Sequence, residues 1–270
     1  MSLKKRSPQS VTLINRRTKS AAHKLNIVQF LIFIKQIMGD VMNTFFYQSI
    51  EDIFTQSRLS VYRKDGVDNI TCLARYLFNI EICKSLYPAL HIFEITLRNS
   101  IDKTLADYAK VQNWYDVLSI DNESKNKIEE AKRKIKKHGK SITHDRIISE
   151  LTLGFWTSFL TTRYSQYSFQ SVVIKKCFKN VSKQNRNIKS LQKIFEKMRL
   201  LRNRVSHYER LIHWKDLKEQ HSQLLECIKW LNVESYEIVK ETDSFDTVHS
   251  AGIQPFKILV QNNWNITEVK

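Results

Sequence analysis

The sequence is poor in the two residues that interrupt helices. It has 5 glycines and 3 prolines in 270 residues, where average usage gives roughly 19 and 13. So few turn-makers exclude an architecture of many tight turns and predict a mostly α-helical protein. A long apolar run is also missing. No stretch reaches the roughly 18–20 residues of a membrane span. The nearest, IVQFLIFI (Ile27–Ile34), is short and interrupted by Gln29. The IKQIMGDVM that follows offers no obvious signal-peptide cleavage site, so stable membrane insertion is not expected. The four cysteines, Cys72, Cys83, Cys177 and Cys227, form no C-x-x-C and pair with no histidine at a zinc-like spacing. Each sits among apolar neighbours, as buried thiols do in a reducing, cytoplasmic compartment. No glycine-rich phosphate loop occurs: the one G-F-W lies in an apolar stretch with no preceding strand, which argues against an NTPase. No cofactor is implied.

What the chain has is positive charge. Lysine and arginine number 44 against 27 acids, giving a formal net charge of +17 and a pI near 9.7. Such a balance favours a polyanionic partner, nucleic acid or an anionic membrane surface. Residues 1–41 carry Lys4, Lys5, Arg6, Arg16, Arg17, Lys19, Lys24 and Lys35 against Asp40 alone. They read as a basic extension, either disordered or not part of the natural product. MNTFFYQSIEDIF from Met42 is a natural opening for a folded domain.

Residues 42–241 read as a succession of helices. A short one is expected near Asn43–Gln56 and another over Val67–Tyr87, capped by Asp68 or Asn69. Pro88 either starts a new helix or kinks a continuous one. Leu90, Phe93, Leu97, Ile101, Leu105 and Tyr108 then recur at helical steps as one buried stripe. Asn122–Lys137 is strongly charged and reads as a solvated face, with an RNA-binding face as the alternative. Ile142–Tyr164, holding LTLGFWTSFL, reads as a central buried helix with Phe155, Trp156 and Phe159 in the core. Val172–Lys179, Ile188–His207 and Leu217–Leu231 complete the series. Residues 242–270 form a C-terminal tail in which PFKILV suggests a strand or an irregular arm. The expected architecture is one all-α bundle with N- and C-terminal extensions.

One stretch does not fit a simple core helix. MRLLRNRVSHYERLIHW (Met198–Trp214) crowds four arginines, two histidines and a glutamate beside Leu200, Leu201 and Val205, which look like core residues. Arg202 can hold a phosphate through paired N–H donors. A histidine such as His207 can take a proton from a hydroxyl or give one to a leaving oxygen. Asn203 can orient either. Arginine with histidine is the minimum needed to cut RNA through its own 2′-hydroxyl without a metal. On an ideal helix, however, residues five apart point about 140° apart and lie about 7.5 Å apart along the axis. Either the helix ends near Ser206 and His207 swings inward, or two copies of the motif meet across a two-fold interface. By spacing alone, R-x4-H is equally a basic helix end with His207 completing its cap. The histidines His138, His144, His207, His213 and His221 lack the spacing of a helical zinc site, so no metal site is expected.

The segment LRNRVSHYERLI resembles the signature of the HEPN superfamily, R-x4-6-H with a polar residue after the arginine. More narrowly it is similar to the Abi-like, abortive-infection family, with its L-R-N-R-x-x-H-x-E run. YPALHIFEITLRNSID (Tyr87–Asp102) resembles that family's upstream helix, and LTLGFWTSFL (Leu151–Leu160) its G-F-W segment. Tyr208 stands where a second histidine is common and Arg210 where a proline is common, which bears on loop shape and substrate preference. The resemblance implies a HEPN-like helical bundle that forms a homodimer. It further implies a metal-independent endoribonuclease, used as a toxin or in phage defence and held in check by an antitoxin, protein or RNA. It assigns Arg202, Asn203 and His207 to catalysis and places Glu94, Arg98 and Asn99 near the site. Arg204 is expected to bind RNA backbone or a dimer partner, and Glu209 to hold an arginine of its own or the other subunit. From a different class, a non-catalytic helical module would bind RNA or protein through the same surface. A third reading uses residues 1–41 to associate with anionic membranes.

Overall fold

A computed structural model of the chain describes residues 46–264. The basic extension 1–41 and its IVQFLIFI segment lie outside the described residues. Twelve α-helices and two single 3-10 turns make up the regular structure there, with no strand among the described residues. The fold is therefore all-α, as the scarcity of glycine and proline predicts. The chain divides into two compact units, one holding residues up to Ala74 together with those from Phe256 onward, the other Arg75–Pro255.

The first unit contains α1 (Phe46–Phe54), α2 (Gln56–Ser60), the opening of α3 (Asn69–Ala109) and most of α12 (Gln254–Asn263). Asp68 caps α3, its Oδ1 accepting from the Thr71 N–H at 2.5 Å. That bond holds its carboxyl below the usual range. Buried Tyr47 donates to Cys72 Sγ at 3.3 Å and accepts from Arg63 Nη2 at 2.6 Å. Burial pushes its hydroxyl up to about 12. Phe46 and Trp264 stack with ring centroids 5.1 Å apart. PFKILV, expected as a strand or arm, is helical within α12. Its apolar run is too short for periodicity to separate helix from strand.

The second unit is built around α3, which runs unbroken through Pro88. The remaining helices are α4 (Asn122–Lys137), α5 (His144–Glu150), α6 (Leu153–Ser158), α7 (Ser168–Cys177), α8 (Ile188–Ser206), α9 (Leu217–Leu231), α10 (Val233–Thr242) and α11 (Phe245–Ala251). Tyr108 is exposed, against its expected place in the α3 stripe, but the rest of that stripe, Leu90, Phe93, Leu97, Ile101 and Leu105, is buried. It shares one core with Trp156 and Phe159, with Leu191, Phe195, Met198 and Leu201 of α8, and with Leu224 and Ile228 of α9. Phe245, from the stretch read as tail, lies in the same core.

The capping chemistry explains the boundaries of α4. Asp121 accepts from the Ser124 N–H at 3.1 Å. Gly139, at φ +68°, ends the helix by donating to the Lys136 carbonyl at 2.9 Å. Arg163 ion-pairs with both Asp121 and Glu123, and Ser124 Oγ meets Tyr164 Oη at 2.7 Å. The expected single helix over Ile142–Tyr164 is corrected to three short pieces: α5, α6 and the 3-10 turn Thr162–Tyr164. Leu151, Thr152 and Thr161 adopt extended backbone angles that break it. Its burial is as expected, with Phe155, Trp156 and Phe159 all inaccessible.

Two buried histidines sit beside acids. Asp102 accepts from Trp114 Nε1 at 2.8 Å and lies 3.1 Å from His144 Nε2, tying α3 to α5. His221 of α9 lies 2.9 Å from Asp243 and stacks on Phe245 at 4.2 Å. Burial lowers the His221 pKa, and His249 adds to the effect, against the opposing charges of Asp243 and Asp246. The unfolded chain takes up this proton near pH 6.5, the folded chain only at lower pH. The unfolded state therefore holds more protons below that point, and stability falls with pH from there down. The melting temperature of the wild type should drop more steeply between about pH 7 and pH 5 than that of His221→Gln. Parallel pH profiles would rule His221 out as the source.

Candidate functional site

The helix that carries the arginine-rich stretch ends where the chemistry is concentrated. Asn187 opens α8 by accepting from the Ser190 N–H at 3.0 Å. Leu191, Phe195, Met198 and Leu201 bury one face. Leu200 is not on that face: it is 49% exposed, against its expected place in the core. Leu201 is buried and Val205 is packed against the core from its edge.

Arg202 emerges half-buried beside α3. Its Nε donates to Glu94 Oε2 at 2.8 Å and its Nη2 to Glu94 Oε1 at 2.6 Å. This is the paired fork geometry that fixes a guanidinium plane. Nη1 also donates to Asn203 Oδ1 at 3.3 Å. Three of the five guanidinium N–H groups are thereby occupied, and two remain for an anion. Glu94, on the upstream helix, is thus the carboxylate that holds this arginine.

Glu209 pairs with Arg204 of its own chain instead. Arg98 Nε donates to Asn99 Oδ1 at 3.1 Å. Arg98 is one helical turn beyond Glu94, while Asn99 is turned to solvent.

Helix α8 stops at Ser206, and His207 is its cap residue, exposed, with its N–H donating to the Asn203 carbonyl at 2.9 Å. The His207 side chain makes no hydrogen bond or ion pair among the described residues, and it does not turn inward. The chain then reverses through Tyr208 at φ +57°. The Tyr208 N–H donates to the Val205 carbonyl at 3.2 Å and the Glu209 N–H to the Arg204 carbonyl at 2.9 Å. This is the Schellman closure, in which glycine usually takes the left-handed position. A tyrosine there costs about 1 kcal/mol of backbone strain, so the turn needs outside support.

Asn79 supplies it. This side chain is buried on α3. Its Oδ1 accepts from the Leu211 N–H at 2.6 Å and the Ile212 N–H at 3.4 Å, and its Nδ2 donates to the Glu209 carbonyl at 3.1 Å. The residue was missed in the sequence. Its one signal is a lone amide inside the apolar run LARYLFNIEIC.

The three stretches singled out in the sequence thus meet. α3 grips both Arg202 and the turn after His207, and α6, carrying G-F-W, packs on α8. Among the described residues no group of three or more His, Cys, Asp or Glu side chains is placed to hold a metal ion. No helix there is long and apolar enough to cross a membrane.

An all-α unit with an ion-paired arginine and an exposed histidine at one helix end defines the class. The family model described as Abi-like protein matches residues 40–213, most of the chain, and the protein belongs to that family. Membership links it to abortive infection, a phage-defence role. No curated protein and no solved structure matches the chain.

Proposed function

We propose that the protein is a metal-independent endoribonuclease of HEPN type, acting in the cytoplasm in abortive infection or as a toxin. The observation that carries this reading is the Glu94–Arg202 clamp. It fixes the plane of a permanently charged group on the helix that ends in an exposed histidine, and leaves two of its N–H donors for a phosphate.

In the proposed reaction the RNA 2′-oxygen attacks the adjacent phosphorus and its proton is removed. A P–O bond forms, the bond to the 5′-oxygen breaks, and that oxygen takes up a proton as it leaves. The products are a 2′,3′-cyclic phosphate and a 5′-hydroxyl. In this reading His207 moves the protons. Arg202 stabilises the added negative charge on the phosphoryl oxygens, and Asn203 steadies the guanidinium.

Two copies of the chain would complete the site. Within one copy, helix geometry sends Arg202 and His207 apart. Leu200 and Tyr208, 49% and 75% exposed, flank the site as apolar surface that a second copy would cover. An antitoxin, protein or RNA, belongs to the same reading.

The test is incubation of the full chain with total cellular RNA and with tRNA in EDTA, followed by analysis of the new ends. Cuts bearing 2′,3′-cyclic phosphates support the ribonuclease and identify its substrate. RNA that is bound but never cut would replace it with the non-catalytic binding module.

A further inference from the structure

The most one-sided charge in the described chain lies away from Arg202. Between Lys175 and Arg199, nine cations (Lys175, Lys176, Lys179, Lys183, Arg186, Lys189, Lys193, Lys197 and Arg199) face one acid, Glu196. Among the described residues none of these nine takes part in an ion pair, whereas three of the six lysines of charged helix α4 do: Lys127 with Glu123, Lys132 with Glu129, Lys134 with Glu130. Glu196 itself accepts from Gln192 at 3.0 Å.

Within this tract the surface is concave. A cavity of about 490 Å³ opens between α7 and the start of α8. Lys175, Lys183 and Arg186 line it together with Ile174, Ser171 and Asn187. A solvated charge run would pair with acids or spread over a convex face. Three cations lining one hollow with no acid among its lining residues instead make a place where successive phosphates are attractive.

We propose that this pocket is a second binding site for the phosphate backbone of single-stranded RNA, separate from the cleavage residues. The proposal rests on that reading's choice of RNA as the ligand, not on its cleavage chemistry. Helix α8 joins the two places: the cavity borders its first turn, and Arg202 lies fourteen residues beyond Ile188. At 1.5 Å per residue the distance along the axis is about 21 Å. At the roughly 3.4 Å per nucleotide of a stacked strand, this corresponds to about six nucleotides. A strand seated in the pocket would run along the cationic side of α8 toward its C-terminal end, where the helix carries Arg202 and His207. Lys189, Lys193 and Lys197, at four-residue steps, line one side of that helix.

The experiment measures binding, so that its outcome is read independently of cleavage. In a His207→Ala background, with EDTA, labelled RNA oligomers of 4 and 12 nucleotides are titrated by fluorescence anisotropy at several salt concentrations. The parent should bind the 12-mer more tightly than the 4-mer. The triple change Lys175→Gln, Lys183→Gln, Arg186→Gln should weaken 12-mer binding at least about tenfold at 0.1 M salt. It should also reduce the salt slope by about 2, since each phosphate contact to a single strand contributes about 0.7. The advantage of the longer RNA should disappear with it.

Lys125→Gln, Lys136→Gln, Lys137→Gln on α4 removes the same net charge and should change affinity much less. Equal losses in the two triple variants, or an unchanged salt slope in the first, would overturn the pocket as a site. A parallel arm uses phosphatidylserine vesicles. Loss of vesicle binding with RNA binding intact would reassign the pocket to a lipid headgroup. If the chain binds RNA through the pocket but never cuts it, the ribonuclease reading fails and this site stands.

Discussion

Arg202→Ala and His207→Ala are each expected to lower RNA cleavage by about a hundredfold or more, the range found when a transition-state donor or a general acid–base group is removed. Their effects on stability should differ, and that difference separates chemistry from scaffolding. His207 is exposed and makes no side-chain bond among the described residues, so His207→Ala should melt as the wild type does. Arg202→Ala leaves Glu94, which is only 27% exposed, without its partner. That should cost roughly 1–2 kcal/mol. The double variant Glu94→Ala, Arg202→Ala removes both charges and should recover most of that stability while remaining inactive. Recovery of cleavage in the double variant would show that Arg202 is a structural ion pair and nothing more. Arg202→Lys keeps the charge but loses the planar fork. It should retain the fold and still cut poorly.

Much of this arrangement is legible in the residues, for identifiable reasons. Helices α4 and α9 begin and end where caps and periodicity place them, because Asp121, Gly139 and the Leu217–Leu231 spacing are local signals. Helix α8 and its end at Ser206 follow from the same kind of pattern. Apolarity without period is less informative. LTLGFWTSFL is buried as read, yet nothing in its composition marks Leu151, Thr152 or Thr161 as extended. Pro88 left two outcomes open, and packing of both flanking turns into one core settles them in favour of a continuous helix.

The site itself is held by long-range pairs that no spacing rule encodes. Glu94 and Arg202 are 108 positions apart, and Asn79 reaches Leu211 across 132. Glu209, nearer in sequence to the motif, pairs with Arg204 instead. The Lys175–Arg199 tract is different. Its imbalance is plain in the composition, but the cavity that gives it meaning appears only when α7 and the loop before α8 fold together.

Asn79→Ala is expected to be among the most damaging single changes outside the apolar core. It removes the acceptor for the Leu211 N–H, in a residue with no exposed surface, and the donor to the Glu209 carbonyl. Buried backbone groups left without partners cost about 1–3 kcal/mol each. A total near 3 kcal/mol should lower the melting temperature by about 6–12 °C in a chain of this size. The same change should reduce cleavage well beyond what lost stability explains at 25 °C. The turn from His207 to Glu209 holds a tyrosine in a left-handed conformation, and without Asn79 that strain has an outlet. Tyr208→Gly separates the two effects: it relieves the strain directly, so combined with Asn79→Ala it should restore part of the stability. If Asn79→Ala melts as the wild type does, the amide is not the support assigned to it. If it melts early yet cuts normally when folded, the turn is held for stability alone and His207 keeps its place without help from α3.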